Sequence, residues 1–162
     1  MRILGIDPAL AITGYGIIDS KGQEIKLHKA GAIITLYKQP LPDRLNKIYE
    51  TLRALIIETK PEVMVLEKVY VHYHHPTTAF LLGQAHGIMC LACAKANIPL
   101  VEYAATRVKK AIVGKGLASK AQVQKMVARM LNLKNLPRYM DVTDALALAI
   151  AYNSINTHDR TY

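Results

Sequence analysis

Two short apolar segments of this chain each end in a carboxylate, and this feature restricts the possible folds more than any other. Arg2–Asp7 and Val63–Glu67 have the length and the apolar composition of buried strands. A carboxylate at the end of a buried strand is poorly solvated, and it is costly unless it is paired, hydrogen-bonded or bound to a metal ion. The fold must therefore supply such partners at both strand ends.

The first third of the chain is predicted to form an antiparallel meander. After Arg2–Asp7, strands are predicted at Thr13–Asp19 and at Glu24–Leu36, where polar and apolar residues alternate. Ser20-Lys21-Gly22 supplies the turn between these two strands. The first strand then lies next to the second, and the second next to the third.

A helix is predicted to begin at Pro42-Asp43 and to end before Pro61. Its apolar residues follow helical spacing: Leu45, Ile48, Leu52, Leu55 and Ile56. A strand–helix–strand connection favours parallel pairing of Val63–Glu67 with an earlier strand.

The second half of the chain adds one strand and four helices. A helix is predicted at Thr77–Ala96, a strand at Pro99–Tyr103 and a short helix from Thr106 to Gly114. The capping box Ser119-Lys120-Ala121-Gln122 begins a further helix, whose core stripe is Val123, Met126, Val127 and Met130. A last helix begins near Asp141 and carries Leu146, Leu148 and Ile150. Thr77–Ala96 is apolar nearly all round, so it must be buried on more than one side, in the core or in a subunit interface. The predicted fold class is α/β, a mixed five-stranded sheet flanked by helices.

The size and charge of the chain indicate how many domains it has and what kind of partner it binds. Its 162 residues suit one domain, expected at 1–156, with a polar tail at 157–162 and fraying from Asn153 onward. The net charge of +9 favours a polyanion such as nucleic acid as partner, although charge alone also fits a basic protein with no nucleic-acid role. We expect no secretory signal and no membrane span, which needs about 20 apolar residues, and hence a soluble, cytoplasmic protein.

Four acidic residues form the candidate catalytic site. Asp7 and Glu67 end their strands, and Asp141 and Asp144 are three residues apart, so that on a helix they share a face. Taken alone, the aspartate pair also fits helix capping. Converging carboxylates repel one another and attract hard divalent cations, and oxygen-only ligands favour Mg²⁺ or Mn²⁺. Two such ions about 4 Å apart can activate water and stabilise the leaving oxygen of a phosphodiester.

Basic residues crowd into one short stretch around two glycines. They are Arg107, Lys109, Lys110, Lys115 and Lys120, with Gly114 and Gly116 between them. Glycines allow close approach of the backbone to phosphate, and the helix start at Ser119 offers unpaired N–H groups. A solvated basic face explains the stretch equally well.

The histidines and cysteines indicate no further chemistry. His72, His74 and His75 lack matching cysteines or helical histidine spacing, so they are interpreted as loop residues rather than zinc ligands, although they could touch phosphates. Cys90 and Cys93 lie within a predicted helix without a second pair, and they are interpreted as buried small apolar residues.

At these residues the sequence resembles the RuvC family of Holliday-junction resolvases over nearly its whole length. The matching segments are Ile3-Leu4-Gly5-Ile6-Asp7-Pro8, Thr13-Gly14-Tyr15-Gly16, Leu66-Glu67-Lys68-Val69-Tyr70, Leu82-Gly83-Gln84-Ala85, Glu102-Tyr103-Ala104-Ala105, Val113-Gly114-Lys115-Gly116 and Asp141-Val142-Thr143-Asp144-Ala145-Leu146-Ala147. Their order and spacing are those of the family.

The resemblance implies an RNase H-like fold, a homodimer and two Mg²⁺ ions held by Asp7, Glu67, Asp141 and Asp144. It implies paired symmetric nicking of four-way junction DNA in recombination and repair, beside the RuvA–RuvB branch-migration machinery. It also implies DNA contacts by residues at the positions of Lys109 and Lys120, and by an aromatic at the position of Tyr70 that reaches bases at the junction centre.

The sequence also departs from the family. Ala9-Leu10-Ala11 stands where Gly-Ser-Arg is usual, and Leu81 and His86 stand where basic residues are common. We therefore expect altered contacts by the loop after Asp7 and a thinner positive surface around the long helix.

Three other functions are compatible with parts of the sequence. An actin-like or sugar-kinase ATPase needs a phosphate loop after the first strand, and Ala9-Leu10-Ala11-Ile12 does not provide one. A non-catalytic DNA-binding module would not need all four acids. Another RNase H-like nuclease, acting on RNA or simple duplexes, would use the same site chemistry.

Overall fold

The computed structural model describes residues 1–68 and 76–158, and in these segments five strands and five helices follow one another. The strands are β1 (Arg2–Asp7), β2 (Ile12–Lys21), β3 (Glu24–Ile34), β4 (Val63–Glu67) and β5 (Leu100–Tyr103). The helices are α1 (Leu41–Thr59), α2 (Pro76–Ala96), α3 (Ala105–Val113), α4 (Lys120–Met130) and α5 (Met140–His158). Each predicted element is present, with small shifts at its ends.

The strands form one mixed sheet in the order β3-β2-β1-β4-β5. β1, β2 and β3 pair antiparallel, as the meander predicted, whereas β4 pairs parallel with both β1 and β5. In the register, Asp7 lies opposite Gly14 on one side, and Ile6 lies beside Leu66 on the other. The carboxyl ends of β1 and β4 therefore meet at the same edge of the sheet.

Helices cover both faces of the sheet, and strand alternation assigns each side chain to a face. Leu4 and Ile6 of β1 pack in the core on the side of α1 and α2, with Met64 and Leu66 of β4. Ile3, Val63 and Val65 pack on the opposite side, with α3, α4 and α5. Because side chains alternate, Asp7 and Glu67 fall on this second face, under α5.

Three strand glycines allow α5 to lie directly on the sheet. A β-carbon added at Gly5 would lie 2.0 Å from the Ala145 carbonyl oxygen, and one at Gly14 would lie 2.1 Å from the Asp141 carbonyl oxygen. A β-carbon at Gly16, opposite Gly5, would lie 2.6 Å from the Leu146 side chain and 2.9 Å from the Leu146 backbone nitrogen. Any larger residue would push the start of α5 away from the ends of β1 and β2.

The end of α5 corrects one expectation. Fraying was predicted from Asn153, but α5 continues to His158 and Asn153 is 9% exposed. Its side chain hydrogen-bonds the Ser20 hydroxyl and donates to the Gly22 carbonyl at 3.1 Å. These contacts hold the last turns of α5 against the β2–β3 turn. The division into a domain at 1–156 and a tail at 157–162 stays a prediction.

Helix α2 buries one side and exposes the other. Ala85 and Met89 are fully buried, whereas Phe80 is 65% and Leu91 45% exposed. Its 18-residue stretch Ala79–Ala96, with a mean hydropathy of 1.3, is long and apolar enough to cross a membrane by length and composition only. The expectation that no apolar stretch is long enough is therefore wrong, although core helices of soluble proteins also meet this criterion.

The two cysteines of α2 differ in their surroundings. Cys93 is 3% exposed and contacts the Met64 sulfur, as predicted for a buried apolar residue. Cys90 is only partly buried, and its Sγ lies 3.6 Å from His86 Nδ1. His86 Nε2 in turn lies 2.8 Å from Glu102 Oε1. The interpretation of Cys90 as buried is therefore wrong, because it lies on the side of α2 that borders the edge strand β5.

Candidate active site

A pocket of about 200 Å³ opens at the sheet edge where β1 and β4 end. Asp7, Glu67 and Asp144 line it together with Lys109 of α3 and Lys120 of α4. Its apolar wall comes from α3, α4 and α5, namely from Ala105, Val108, Val123, Ala147 and Leu148. Three of the four predicted carboxylates and two of the five predicted basic residues therefore share one pocket.

The acids of the pocket are held in an environment that resists their ionisation. The pKa of Asp7 is raised to about 7, mainly by burial and then by the charges of Asp144, Asp141 and Glu67, against the lowering effect of Lys120. Burial is also the largest cause of the raised pKa of Asp144. Glu67 is more exposed, yet partial burial and the charge of Asp144 raise its pKa as well. Such shifts are typical of functional sites.

Asp141 stands slightly apart from the other three acids. It is absent from the pocket lining, while its charge contributes to the raised pKa of both Asp7 and Asp144. Its carbonyl oxygen lies above Gly14, at the first turn of α5. It is therefore close enough to act on the pocket electrostatically, from its outer rim.

The donor chemistry of the pocket fits a hard divalent cation. Its acidic groups are all carboxylates, which are the oxygen ligands that Mg²⁺ and Mn²⁺ prefer. Within residues 1–68 and 76–158, no three histidine, cysteine or acidic side chains are already grouped closely enough to hold a metal ion. Since like charges keep the acids apart, a cation would supply the attraction that draws them together.

Lys120 is the basic residue in closest contact with the acids. Its Nζ lies 3.5 Å from Asp144 Oδ2, and its charge lowers the pKa of Asp144 and Glu67. The position of Lys120 follows from the capping box, in which Ser119 accepts from the Gln122 N–H and Gln122 Oε1 accepts from the Ser119 N–H. The predicted capping box is thus confirmed, and it fixes the first turn of α4, which carries Lys120 at the pocket.

The other predicted basic residues lie outside the pocket lining. The Arg107 guanidinium stacks over the Tyr103 ring at 4.8 Å from its centroid. Lys110 and Lys115 are exposed. Tyr70, His72, His74 and His75 lie outside the described residues, so their predicted roles stay predictions.

The loop after Asp7 is fastened by side chains that the sequence analysis missed. Arg44 is 8% exposed, and it donates from Nε to Thr35 Oγ1 at 2.8 Å and from Nη2 to the Leu10 carbonyl at 3.1 Å. Thr13 Oγ1 donates to the Ala9 carbonyl at 2.6 Å. Arg44 lies one helical turn before Ile48, on the buried stripe of α1, and that spacing could have identified it.

The strand glycines are the second group that was missed. Gly5, Gly14 and Gly16 entered the sequence analysis only as parts of motifs. Glycine inside a strand often marks the close approach of another backbone, and in this fold that backbone is α5.

The sequence and the fold are both similar to known proteins. The family model for the crossover junction endodeoxyribonuclease RuvC matches residues 3–152. The RuvC crossover junction endodeoxyribonuclease of Brevibacillus brevis is 41% identical over 152 residues, covering 94% of this chain and 91% of that protein. The corresponding protein of Rhodopirellula baltica is 42% identical over 148 residues, covering 91% and 83%.

Solved structures agree with these relatives. The structure of T. thermophilus RuvC in complex with a Holliday junction substrate superposes with a TM-score of 0.89 at 29% identity, covering 97% of each chain. The yeast mitochondrial Holliday junction resolvase superposes with a TM-score of 0.65 at 12% identity, which supports the RNase H-like fold alone.

Proposed function

The chain belongs to the RuvC family of crossover junction endodeoxyribonucleases, and from this premise we propose that Asp7, Glu67, Asp141 and Asp144 form the active site of a Mg²⁺-dependent Holliday-junction resolvase. Family membership makes the protein a metal-dependent endodeoxyribonuclease whose substrate is the four-way DNA junction. Membership of this family also argues against the two alternative functions of an ATPase and a non-catalytic DNA-binding module.

One observation carries the proposal for the site. The raised pKa of Asp7, about 7, arises because its carboxyl group is buried beside three other acids at one sheet edge. A fold keeps such an arrangement at a cost in stability, which is reasonable where the charges serve catalysis. The same pocket contains Lys109 and Lys120, which suit a phosphodiester.

Each residue has a defined role in the proposed reaction. Asp7, Glu67 and Asp144 would hold two Mg²⁺ ions, Asp141 would complete the ligand set, and Mn²⁺ would be able to substitute. When bound, these ions supply an activated water and stabilisation of the leaving oxygen. Lys109 and Lys120 orient the phosphate of the strand to be cut, and the apolar wall excludes bulk water. Arg107, Lys110 and Lys115 extend the positive surface for the rest of the junction.

We further propose a homodimer, with the exposed face of α2 as its interface. Phe80, Gly83, Gly87 and Leu91 follow one another at helical spacing on that face. Nothing lies within 4 Å of a β-carbon built at Gly83 or Gly87, and only 22% of Ala79–Ala96 is buried within one chain. A second copy would cover this apolar face, and two active sites would give the paired nicks. Cooperation with RuvA–RuvB and a cytoplasmic location rest on the family resemblance.

The site is tested by separating binding from cleavage. In Asp7→Asn, Glu67→Gln, Asp141→Asn and Asp144→Asn, we expect junction cleavage in Mg²⁺ to slow by about a hundredfold or more, because each change removes a charged ligand. Junction affinity in Ca²⁺ should persist or rise, because a carboxylate that repels phosphate is lost. Glu50→Gln is the matched control, since it makes the same charge change on an exposed carboxylate of α1 that pairs only with Arg53 among the described ion pairs.

The measurements are a cleavage time course and a gel shift for each variant. Near wild-type cleavage by all four variants would contradict the proposed site. Equal cleavage of a four-way junction and of linear duplex by the wild type would contradict the proposed substrate.

A further inference from the structure

Leu117 is presented to solvent beside the active-site pocket. Its side chain is 96% exposed, more than any other large apolar side chain in the described part of the chain. A single exposed leucine needs no special explanation. The position of this one does, because it lies between exposed Lys115 and Lys120, and Lys120 reaches Asp144 inside the pocket.

The backbone around Leu117 is fixed on both sides. Gly114 ends α3 with φ 81° and donates to the Lys110 carbonyl at 2.9 Å. The Ala118 N–H donates to the Lys115 carbonyl at 3.2 Å, and the Ala118 side chain is 5% exposed in the core. Ser119 then begins the capping box of α4. Because its neighbour is anchored in the core, Leu117 stays directed outward.

The loop also packs closely against α3. A β-carbon at Gly116 would lie 3.3 Å from the Thr106 carbonyl oxygen, so there is little room for the loop to fold inward. Leu117 is thus preorganised, which lowers the entropic cost of using it in a contact.

The charges around Leu117 identify its partner. The loop that carries Leu117 joins α3, which contributes Lys109 to the pocket, to α4, which contributes Lys120, so a phosphate held between these two lysines lies close to this loop. Lys115 and Lys120 attract phosphates on either side of Leu117, which leaves sugars and bases over the apolar side chain. Leucine is among the residues that proteins insert between base steps.

We infer that Leu117 is an apolar wedge that inserts at the base step next to the cleaved phosphate of the bound junction. The inference rests on the proposed function, because it requires a junction strand in the carboxylate pocket. It assigns Leu117 a contact that unstacks bases, whereas the neighbouring lysines neutralise phosphates.

The test compares Leu117→Ala with Lys115→Ala and with Ile57→Ala. Ile57 is 59% exposed near the end of α1, at the opposite edge of the sheet, and serves as the matched control. We expect Leu117→Ala to weaken junction binding in Ca²⁺ about tenfold, since one buried apolar contact is lost. The slope of log Kd against log salt should stay unchanged for Leu117→Ala and fall by about one charge for Lys115→Ala.

Base unstacking is measured with 2-aminopurine placed beside the cut site. Wild-type protein, Ile57→Ala and the conservative variant Leu117→Met should raise its fluorescence, whereas Leu117→Ala should not. Unchanged melting temperature is expected for Leu117→Ala, because the side chain makes no core contact. Equal affinity or an unchanged fluorescence signal in Leu117→Ala would overturn the wedge alone. Wild-type protein that does not prefer a junction to linear duplex would overturn the proposed function, and this inference with it.

Discussion

The carboxyl group of Asp7 lies where a hydrophobic core and three other acids meet. Ile6, its neighbour in β1, is fully buried, and the strand alternation turns Asp7 toward α5. Burial and repulsion both disfavour the charged form, which is why the pKa rises to about 7. At neutral pH the ionised Asp7 therefore opposes folding while it prepares the site for a cation.

The first prediction follows from the sign of this shift. In the unfolded chain Asp7 titrates near pH 4, so between about pH 4 and 7 the native state binds more protons than the unfolded state. The contribution of Asp7 to stability is thus most favourable below about pH 4 and declines as the pH rises, by at most about 1.4 kcal/mol per pH unit. Asp7→Asn removes this dependence, so the variant should be more stable than wild type at pH 8 in EDTA. This stability advantage over wild type should shrink as the pH falls toward 4.

Urea unfolding from pH 4 to 8 in metal-free buffer checks this prediction. Glu50→Gln should show no such pH-dependent gain, because Glu50 is exposed. An Asp7→Asn variant no more stable than wild type at pH 8 would show that the burial of Asp7 carries no such cost.

At the scale of elements, the placement of α5 determines the site. The helix contributes Asp141 and Asp144, and it lies directly against the sheet only because Gly5, Gly14 and Gly16 have no side chains. Its own small residues on that side, such as Ala145, complete the fit. Backbone packing at the glycines and the geometry of the acids are therefore coupled.

Gly14→Ala is expected to damage both stability and cleavage. The new β-carbon would lie 2.1 Å from the Asp141 carbonyl oxygen, a backbone atom that moves only with the start of α5. We expect a loss of about 2–3 kcal/mol in the free energy of unfolding and slower cleavage well below the melting temperature, because Asp141 and Asp144 are displaced.

Gly31→Ala is the matched control in the same sheet. The atom nearest to its added β-carbon is the Tyr15 hydroxyl at 2.5 Å, at the end of a side chain that can swing away. Its stability should change by less than about 1 kcal/mol, with cleavage unaffected. The two variants are compared by urea unfolding and single-turnover cleavage. If Gly14→Ala cleaved junctions at the wild-type rate, the prediction that the position of α5 controls activity would be contradicted.

At the scale of the whole molecule, one face of α2 is apolar and uncovered while the net charge is +9. The charge attracts DNA at long range, whereas the uncovered face is suited to an apolar surface such as a second copy of the chain. The two features fit a dimer that presents both active sites to one junction.

The dimer is tested with Leu91→Glu, which places a charge on the apolar face proposed as the interface. We expect the dissociation constant of the dimer to rise by about a hundredfold or more, because an unpaired charge would be buried. Leu136→Glu, at a similarly exposed leucine between α4 and α5, should leave the dimer intact. Sedimentation at micromolar protein decides the question, and a wild-type protein that stays monomeric with and without junction DNA would contradict the interface.

The sequence by itself determined the elements of the fold and the identity of the acids. The short apolar segments of β1 and β4, the helical spacing in α1 and the capping box of α4 are local patterns, readable within a few residues. The carboxylate at the end of each apolar strand was equally visible. These patterns favoured parallel pairing of β4 with an earlier strand, and its pairing with β1 in the structure is what brings Asp7 and Glu67 to a common edge.

Only the tertiary structure decided which side chains touch, because contacts depend on distances between residues far apart in the chain. Asn153 holds α5 against Ser20, 133 residues away, so polar composition wrongly predicted fraying. Asp141 lies outside the pocket lining although Asp144, one turn later on the same helix, belongs to it, and the spacing of the two residues in the sequence does not indicate this difference. The exposure of Leu117 likewise follows from the anchoring of Ala118 in the core, since no periodicity in a loop indicates which residue faces solvent.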